Sequence, residues 1–281
     1  MDLLHIFVLA VVQGIAELLP VSSSAHVIVA EKLMGLDPTA PEMTLLLVML
    51  HTGTMFAVIV YFWSSWRQSY FSSMQQFRTN GTRLVVATVA TGVIGLALMQ
   101  GIKHFVVGND PTFEIEQLFG NAKLMAAALA AAGVLIIVSS RMAATGKDDV
   151  STRSALWVGA VQGLCLPFRG FSRSGATIST ALALHVDRRL AEQFSFALAV
   201  VLTPVVIAKE AYRVYQVDVV SSTGNGGALL HAMGPGLLGM LLSFLAGLLA
   251  LRWLSRWLEQ GRWHLFGAYC LCASLVVLRV G

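Results

Sequence analysis

Two apolar stretches of this chain, residues 3–34 and 154–186, are each longer than one membrane crossing, and each carries a polar cluster at its middle. A bilayer core about 30 Å thick takes roughly 20 residues as helix. A polar cluster at membrane depth must be buried in protein or face a water-filled cavity, because lipid offers it no hydrogen bonds. Each stretch is therefore predicted to be a broken helix that bends at its polar centre. Six further apolar runs of ordinary crossing length lie near 44–63, 83–100, 121–140, 193–211, 233–254 and 264–280. Of the 281 residues 56% are hydrophobic and 12% charged, against about 25% charged in soluble domains. The chain reads as an all-α polytopic membrane protein. Its first residues lack a basic region and a small-residue cleavage site, so the N-terminus is expected to be retained.

Loop charges predict the topology. Arg67, Arg78 and Arg83 flank one loop, Arg141, Lys147 and Arg153 another, and Arg252, Arg256 and Arg262 the last. By the excess of basic residues these three loops are cytoplasmic. The loops at 101–120 and 212–232 set Lys103 and Arg213 against Asp110, Glu114, Glu116 and Asp218, and so are expected outside. Counting crossings then leaves none for 154–190, which must enter and return, with Arg188 and Arg189 at its exit. By the same parity 1–36 begins and ends outside. Val12-Gln13-Gly14 recurs as Val161-Gln162-Gly163, and the same offset of 149 pairs Ser23 with Ser172 and Thr54 with Thr203. The expected architecture is one integral membrane domain, 1–281, with an inverted-topology repeat. The half 1–145 holds a re-entrant hairpin at 1–36 plus three spans, and the half 146–281 holds a hairpin at 154–190 plus three spans. Broken helices meeting at the midplane are where such folds build their sites.

The net charge of +4 is spread over loops with no basic stripe, so no nucleic-acid partner is implied. Cys165, Cys270 and Cys272 lie in apolar segments without metal-ligand spacing, and each is expected to serve as a small buried hydrophobe. Gly234, Gly236 and Gly239 suggest close helix packing, within the chain or across a homodimer. Trp253, Trp257 and Trp263 fit an interfacial aromatic belt.

The first polar cluster runs from Gln13 through Glu17 and Pro20 to Ser22, Ser23, Ser24 and His26. Pro20 stops a helix, and a serine after it can cap the next. Gln13 and Glu17, four apart, share one helix face. An ionisable side chain inside an apolar run is costly and marks a functional candidate. The second cluster runs from Pro167 through Arg169, Gly170, Ser172, Arg173, Ser174 and Gly175 to Thr177 and Ser179. Free amides at a helix start beside an arginine fork suit phosphate oxygens. No Gly-Lys-Ser/Thr loop is present. Together the clusters hold the inventory of phosphoryl transfer: carboxylate, imidazole, hydroxyls, guanidinium and amide donors. A carboxylate such as Glu17 can also hold Mg²⁺ or Ca²⁺. Serines in membrane helices often bond the preceding turn instead, so the nucleophile stays open among Ser22, Ser23, Ser24 and His26.

The segments E-L-L-P-V-S-S-S-A-H at 17–26 and G-F-S-R-S-G-A-T-I-S at 170–179 closely resemble the two signature motifs of the undecaprenyl pyrophosphate phosphatases, the bacitracin-resistance (BacA) family, and the hydropathy profile agrees along the chain. The resemblance implies hydrolysis of undecaprenyl pyrophosphate, a membrane-embedded lipid substrate, to undecaprenyl phosphate and inorganic phosphate. It also implies a multi-pass protein of the bacterial inner membrane, with the site open to the periplasm. On that reading Glu17 assists proton or metal handling, Ser23 or His26 attacks or relays protons, and Arg173 grips the pyrophosphate. Gln13, Ser22, Arg169, Ser172, Ser174 and Thr177 surround the substrate. The chain departs from the family pattern at Gln13, where a second Glu is usual, at Arg169, where Pro is usual, and at Ala25, where Gly is usual. The inverted repeat also raises a second class of function, a carrier that moves polyprenyl phosphate between leaflets without hydrolysis.

Overall fold

The structure is a computed structural model that describes residues 2–36, 41–106, 121–142, 149–168, 170–221 and 227–280. Arg169 lies outside the described residues, as do the loop charges Asp110, Glu114, Glu116 and Lys147. Ten α-helices and no strand occur among the described residues. They are α1 (Leu3–Leu18), α2 (Ser23–Leu33), α3 (Pro41–Phe71), α4 (Met74–Gly101), α5 (Ala122–Met142), α6 (Thr152–Leu164), α7 (Arg173–Ala183), α8 (Arg188–Ser221), α9 (Gly227–Glu259) and α10 (Trp263–Val280). Four segments are long and apolar enough to cross a bilayer: Met43–Phe71, Met74–Phe105, Ala122–Met142 and Gly234–Glu259. The second of these continues α4 through a π-helical turn at Ile102–Val106. The chain is a multi-pass membrane protein.

Both long polar-centred stretches are broken, and the local chemistry explains where. Leu19 precedes Pro20 and is extended, at φ −72° and ψ 152°, because the proline ring excludes the helical region from its neighbour. The second break, residues 165–172, contains Pro167 and closes on Ser172, whose Oγ accepts the Gly175 N–H at 3.3 Å as an N-cap. The four short helices have 16, 11, 13 and 11 residues. At 1.5 Å per residue each falls short of a core about 30 Å thick.

Close backbone approach fixes the two pairs against the long helices. A Cβ on Gly14 of α1 would stand 2.8 Å from the Ser243 carbonyl of α9, and one on Gly159 of α6 would stand 2.1 Å from the Ala87 carbonyl of α4. Only glycine permits either contact. Two of the three α9 glycines pack within the chain, Gly236 over Met49 and Gly239 over Leu46 and Leu50 of α3, whereas a Cβ on Gly234 would have nothing within 4 Å. α2 touches α10, and α7 lies on α5.

The expected cytoplasmic loops come together at one end. Arg83 forms a two-pronged ion pair with Asp149 just before α6, at 2.5 and 2.7 Å. Arg189 Nε bonds Glu259 at 2.8 Å, joining the start of α8 to the end of α9. The Trp66 indole donates to the Gln193 carbonyl at 3.2 Å. A polar cavity of about 520 Å³ opens here between Tyr70, Asn80, Arg83, Asp149 and Gln193, and it contains none of the motif residues.

Several expectations need correction. Helix continues to Ser221 and resumes at Gly227, so most of the loop expected at 212–232 is helical. α3 runs to Phe71, eight residues past the apolar run, because polar residues are no obstacle to helix once the chain reaches the interface. Cys270 is buried, but Cys272, about 200° further round the helix, is exposed. Trp263 is no belt residue: it is 2% exposed, and its indole N–H is satisfied by Ser179 Oγ at 3.0 Å.

Candidate active site

The two breaks meet, and Glu17 is the centre of the meeting. It occupies the last turn of α1, where Gln13 one turn earlier donates its amide to Oε2 at 3.2 Å. Ser23, the first residue of α2, donates its hydroxyl to the same oxygen at 2.6 Å. From the second break Arg173 brings Nη2 to Oε1 at 3.2 Å. His51 of α3 adds Nε2 at 3.6 Å from Oε2. Residues 156 positions apart thus form an ion pair whose side chains are mostly buried, 18% exposed for Glu17 and 24% for Arg173. One carboxylate with four partners is the arrangement that lets such a charge sit at membrane depth.

Arg173 is the first residue of α7, and its guanidinium is incompletely paired. Nη2 holds Glu17, while Nη1 is buried without a hydrogen-bond partner among the described residues. The helix starts at Ser23 and Arg173 both face this region, and helix N-termini favour anions.

The hydroxyls of the second motif are engaged by the protein. Ser172 caps α7, and Ser174 donates to the Leu19 carbonyl at 3.1 Å, tying α7 to the first break. Thr177 donates to the Arg173 carbonyl at 2.8 Å, which leaves the Ser195 hydroxyl to donate to Thr177 at 2.6 Å. They brace the walls and hold Arg173 in place. Gly175 completes the fit, since a Cβ there would lie 3.2 Å from Pro20 Cβ.

The first break is strained. Ser22 is 5% exposed and takes φ 65° and ψ 94°, a conformation that an L-residue adopts at a cost of about 1–3 kcal/mol. Its carbonyl accepts His26 Nδ1 at 2.8 Å. A carbonyl only accepts, so Nδ1 carries the proton, and the neutral ring accepts at Nε2 from the Tyr269 hydroxyl at 2.6 Å. His26 therefore faces α10 and not Ser23. Arg169 is outside the described residues.

Sequence reading takes His51, an unaccompanied histidine in an apolar span, for a structural residue, and it misses Tyr269. His51 had a signal, the polar run His51-Thr52-Gly53-Thr54 inside an apolar span. Tyr269 had none beyond a single phenol in the last apolar run.

The donor set bears on a metal. Among the described residues no group of three or more His, Cys, Asp and Glu side chains could hold one. Glu17 offers a single carboxylate, which fits a hard cation only as one corner of a shell whose other oxygens come from substrate and water.

The family described as bacitracin resistance protein BacA matches residues 6–276. The protein named undecaprenyl-diphosphatase 2 of Acinetobacter baylyi is 62% identical over 99% of this chain and 98% of its own length. Undecaprenyl-diphosphatases of Burkholderia pseudomallei and Korarchaeum cryptofilum are 31% and 30% identical, each over 99% of this chain. With both signature segments meeting at one ion pair and the match running nearly end to end, the chain belongs to the bacitracin resistance protein BacA family.

Proposed function

We propose that this protein hydrolyses undecaprenyl pyrophosphate to undecaprenyl phosphate and inorganic phosphate, recycling the lipid carrier of peptidoglycan synthesis and thereby conferring bacitracin resistance. The observation that carries this reading is Arg173: one nitrogen locks Glu17, and another is buried and unpartnered beside two helix starts. A phosphate oxygen is the ligand such a donor suits.

In the reaction Ser23 Oγ attacks the terminal phosphorus, and its proton passes to Glu17 Oε2, already 2.6 Å away. The bond from that phosphorus to the bridging oxygen breaks, and undecaprenyl phosphate leaves with the electron pair and with the proton passed on by Glu17, which returns to carboxylate. Arg173 Nη1 and the first amides of α7 neutralise charge growing on the transferred phosphoryl group. Water, with Glu17 as base, then attacks the seryl phosphate, releasing inorganic phosphate and restoring the Ser23 hydroxyl. Ser172, Ser174 and Thr177 act through the wall they brace. Glu17 is the residue that would hold Mg²⁺ or Ca²⁺, and such a cation would supply further charge neutralisation.

Each short pair enters and leaves by one face, as two re-entrant hairpins of an inverted repeat, 1–145 and 146–281, with six crossings by α3, α4, α5, α8, α9 and α10. The Arg83–Asp149 pair and the shared cavity support this for α6 and α7, since the residues before α6 and those opening α8 line one space. The arginine-rich end is cytoplasmic. The site opens to the periplasmic side of the inner membrane, where the polyprenyl tail enters from lipid.

Phosphate release from undecaprenyl or farnesyl pyrophosphate by the purified chain in detergent tests the reading. Release should fall about 10²–10³-fold in Arg173→Ala and be lost in Ser23→Ala. A folded native chain that releases no phosphate from either substrate, with Mg²⁺ or Ca²⁺ supplied, overturns it.

A further inference from the structure

We infer that Tyr269 of α10 is a positioning residue of the active site, holding the His26 ring in one orientation through a hydrogen bond to Nε2, while the Ser22 carbonyl sets its tautomer. The inference rests on the phosphatase reading above and extends it to a helix that neither signature motif reaches.

Three observations converge on this phenol. First, the Tyr269 hydroxyl and His26 Nε2 are 2.6 Å apart, and the two rings stack with centroids 5.6 Å apart and planes 14° from parallel. Second, the other ring nitrogen already has a partner that can only accept, the Ser22 carbonyl at 2.8 Å, so both edges of the imidazole are determined. Third, the next residue along α10, Cys270, is buried and donates its thiol to the Pro20 carbonyl at 3.1 Å. That bond fixes α10 against the same break that presents Ser22 and Ser23. Tyr269 is thus held in register with the reactive serine by its neighbour and with the imidazole by its own hydroxyl.

The consequence is a division of labour at the first break. With Nε2 occupied by Tyr269, His26 takes no proton from Ser23, and the serine proton goes to Glu17. His26 is left neutral and oriented, able to exchange the phenol for another O–H donor, the water that attacks the seryl phosphate, without rotating. Losing the phenol hydroxyl frees the ring to turn, which lowers the fraction of productively aligned enzyme without removing a group that binds substrate.

The test has two arms. In labelled protein, nitrogen-15 shifts of His26 should report a protonated Nδ1 and an accepting Nε2, and Tyr269→Phe should move the Nε2 shift toward that of a ring nitrogen without a hydrogen bond. In the phosphate-release assay Tyr269→Phe should lower kcat about tenfold with KM within about twofold, and Tyr269→Gln, which keeps a donor, should recover part of the loss. In a His26→Ala background Tyr269→Phe should change nothing further. Unchanged His26 nitrogen shifts in Tyr269→Phe, or losses that add in the His26→Ala background, overturn the inference. A native chain without phosphatase activity defeats the proposed function instead, and the nitrogen-15 arm still decides the role of Tyr269.

Discussion

The two broken pairs contribute unequally to one site. The first pair crosses its break in four residues, 19–22, with Ser22 at positive φ, and it carries carboxylate, hydroxyl and imidazole. The second crosses in eight, 165–172, closes on a regular serine cap, and carries the guanidinium. Eight of the eleven residues of α7 are buried, against three of eleven in α2. The groups proposed to react therefore stand at the thinly packed, strained break, and the group proposed to bind the anion on the deeply packed element. Strain is tolerated at functional positions where surrounding structure over-determines it, and here α7 and α10 do so through the carbonyls of Leu19 and Pro20.

This contrast can be broken most severely at Arg173. Arg173→Lys keeps the charge but loses the fork that serves Glu17 and phosphate together. Phosphate release should remain at least about tenfold below the native chain, and a rate near native would mean that point charge alone suffices. Next come the glycines. A Cβ on Gly170 would fall 2.0 Å from the Met125 carbonyl, whereas Gly35, at φ +66°, has nothing within 4 Å. Gly170→Ala should lower stability by about 3 kcal/mol and Gly35→Ala by about 1 kcal/mol, read as thermal unfolding in detergent. Equal losses would erase the difference in packing. A smaller effect separates the breaks themselves: Ser172→Ala removes a cap worth about 1 kcal/mol, while Ser22→Gly relieves the positive φ and should leave stability unchanged or raised. Last comes Gln13→Glu, which replaces an amide donor to Glu17 with a second carboxylate. Its mark should be a steeper dependence of phosphate release on added Mg²⁺, and identical metal titrations would remove Gln13 from any account of the cation.

Much of this was legible in the sequence because it is local. Pro20 and Pro167 announce breaks, the i,i+4 spacing of Gln13 and Glu17 announces a shared face, and both signature segments are contiguous. What stayed hidden is long-range. Nothing in the chain says that Ser23 turns to Glu17 while His26 turns to a phenol 243 positions away, because a helical residue's partner is chosen by tertiary packing. Trp263 illustrates the same limit: composition puts a tryptophan near a turn at the interface, and only the position of Ser179 shows that it points inward. His51 was readable in principle, as the one titratable member of a polar run in an apolar span.

The 156-residue separation of Glu17 and Arg173 also sets an order of events during biosynthesis. At ordinary translation speeds the carboxylate leaves the ribosome roughly ten to thirty seconds before its guanidinium exists. A lone carboxylate is costly in hydrocarbon, so over that interval α1 and α2 must wait at the bilayer surface or enter with Glu17 protonated. On either course the ion pair closes only after α7 has been made, and the nascent N-terminal half lacks its guanidinium until then.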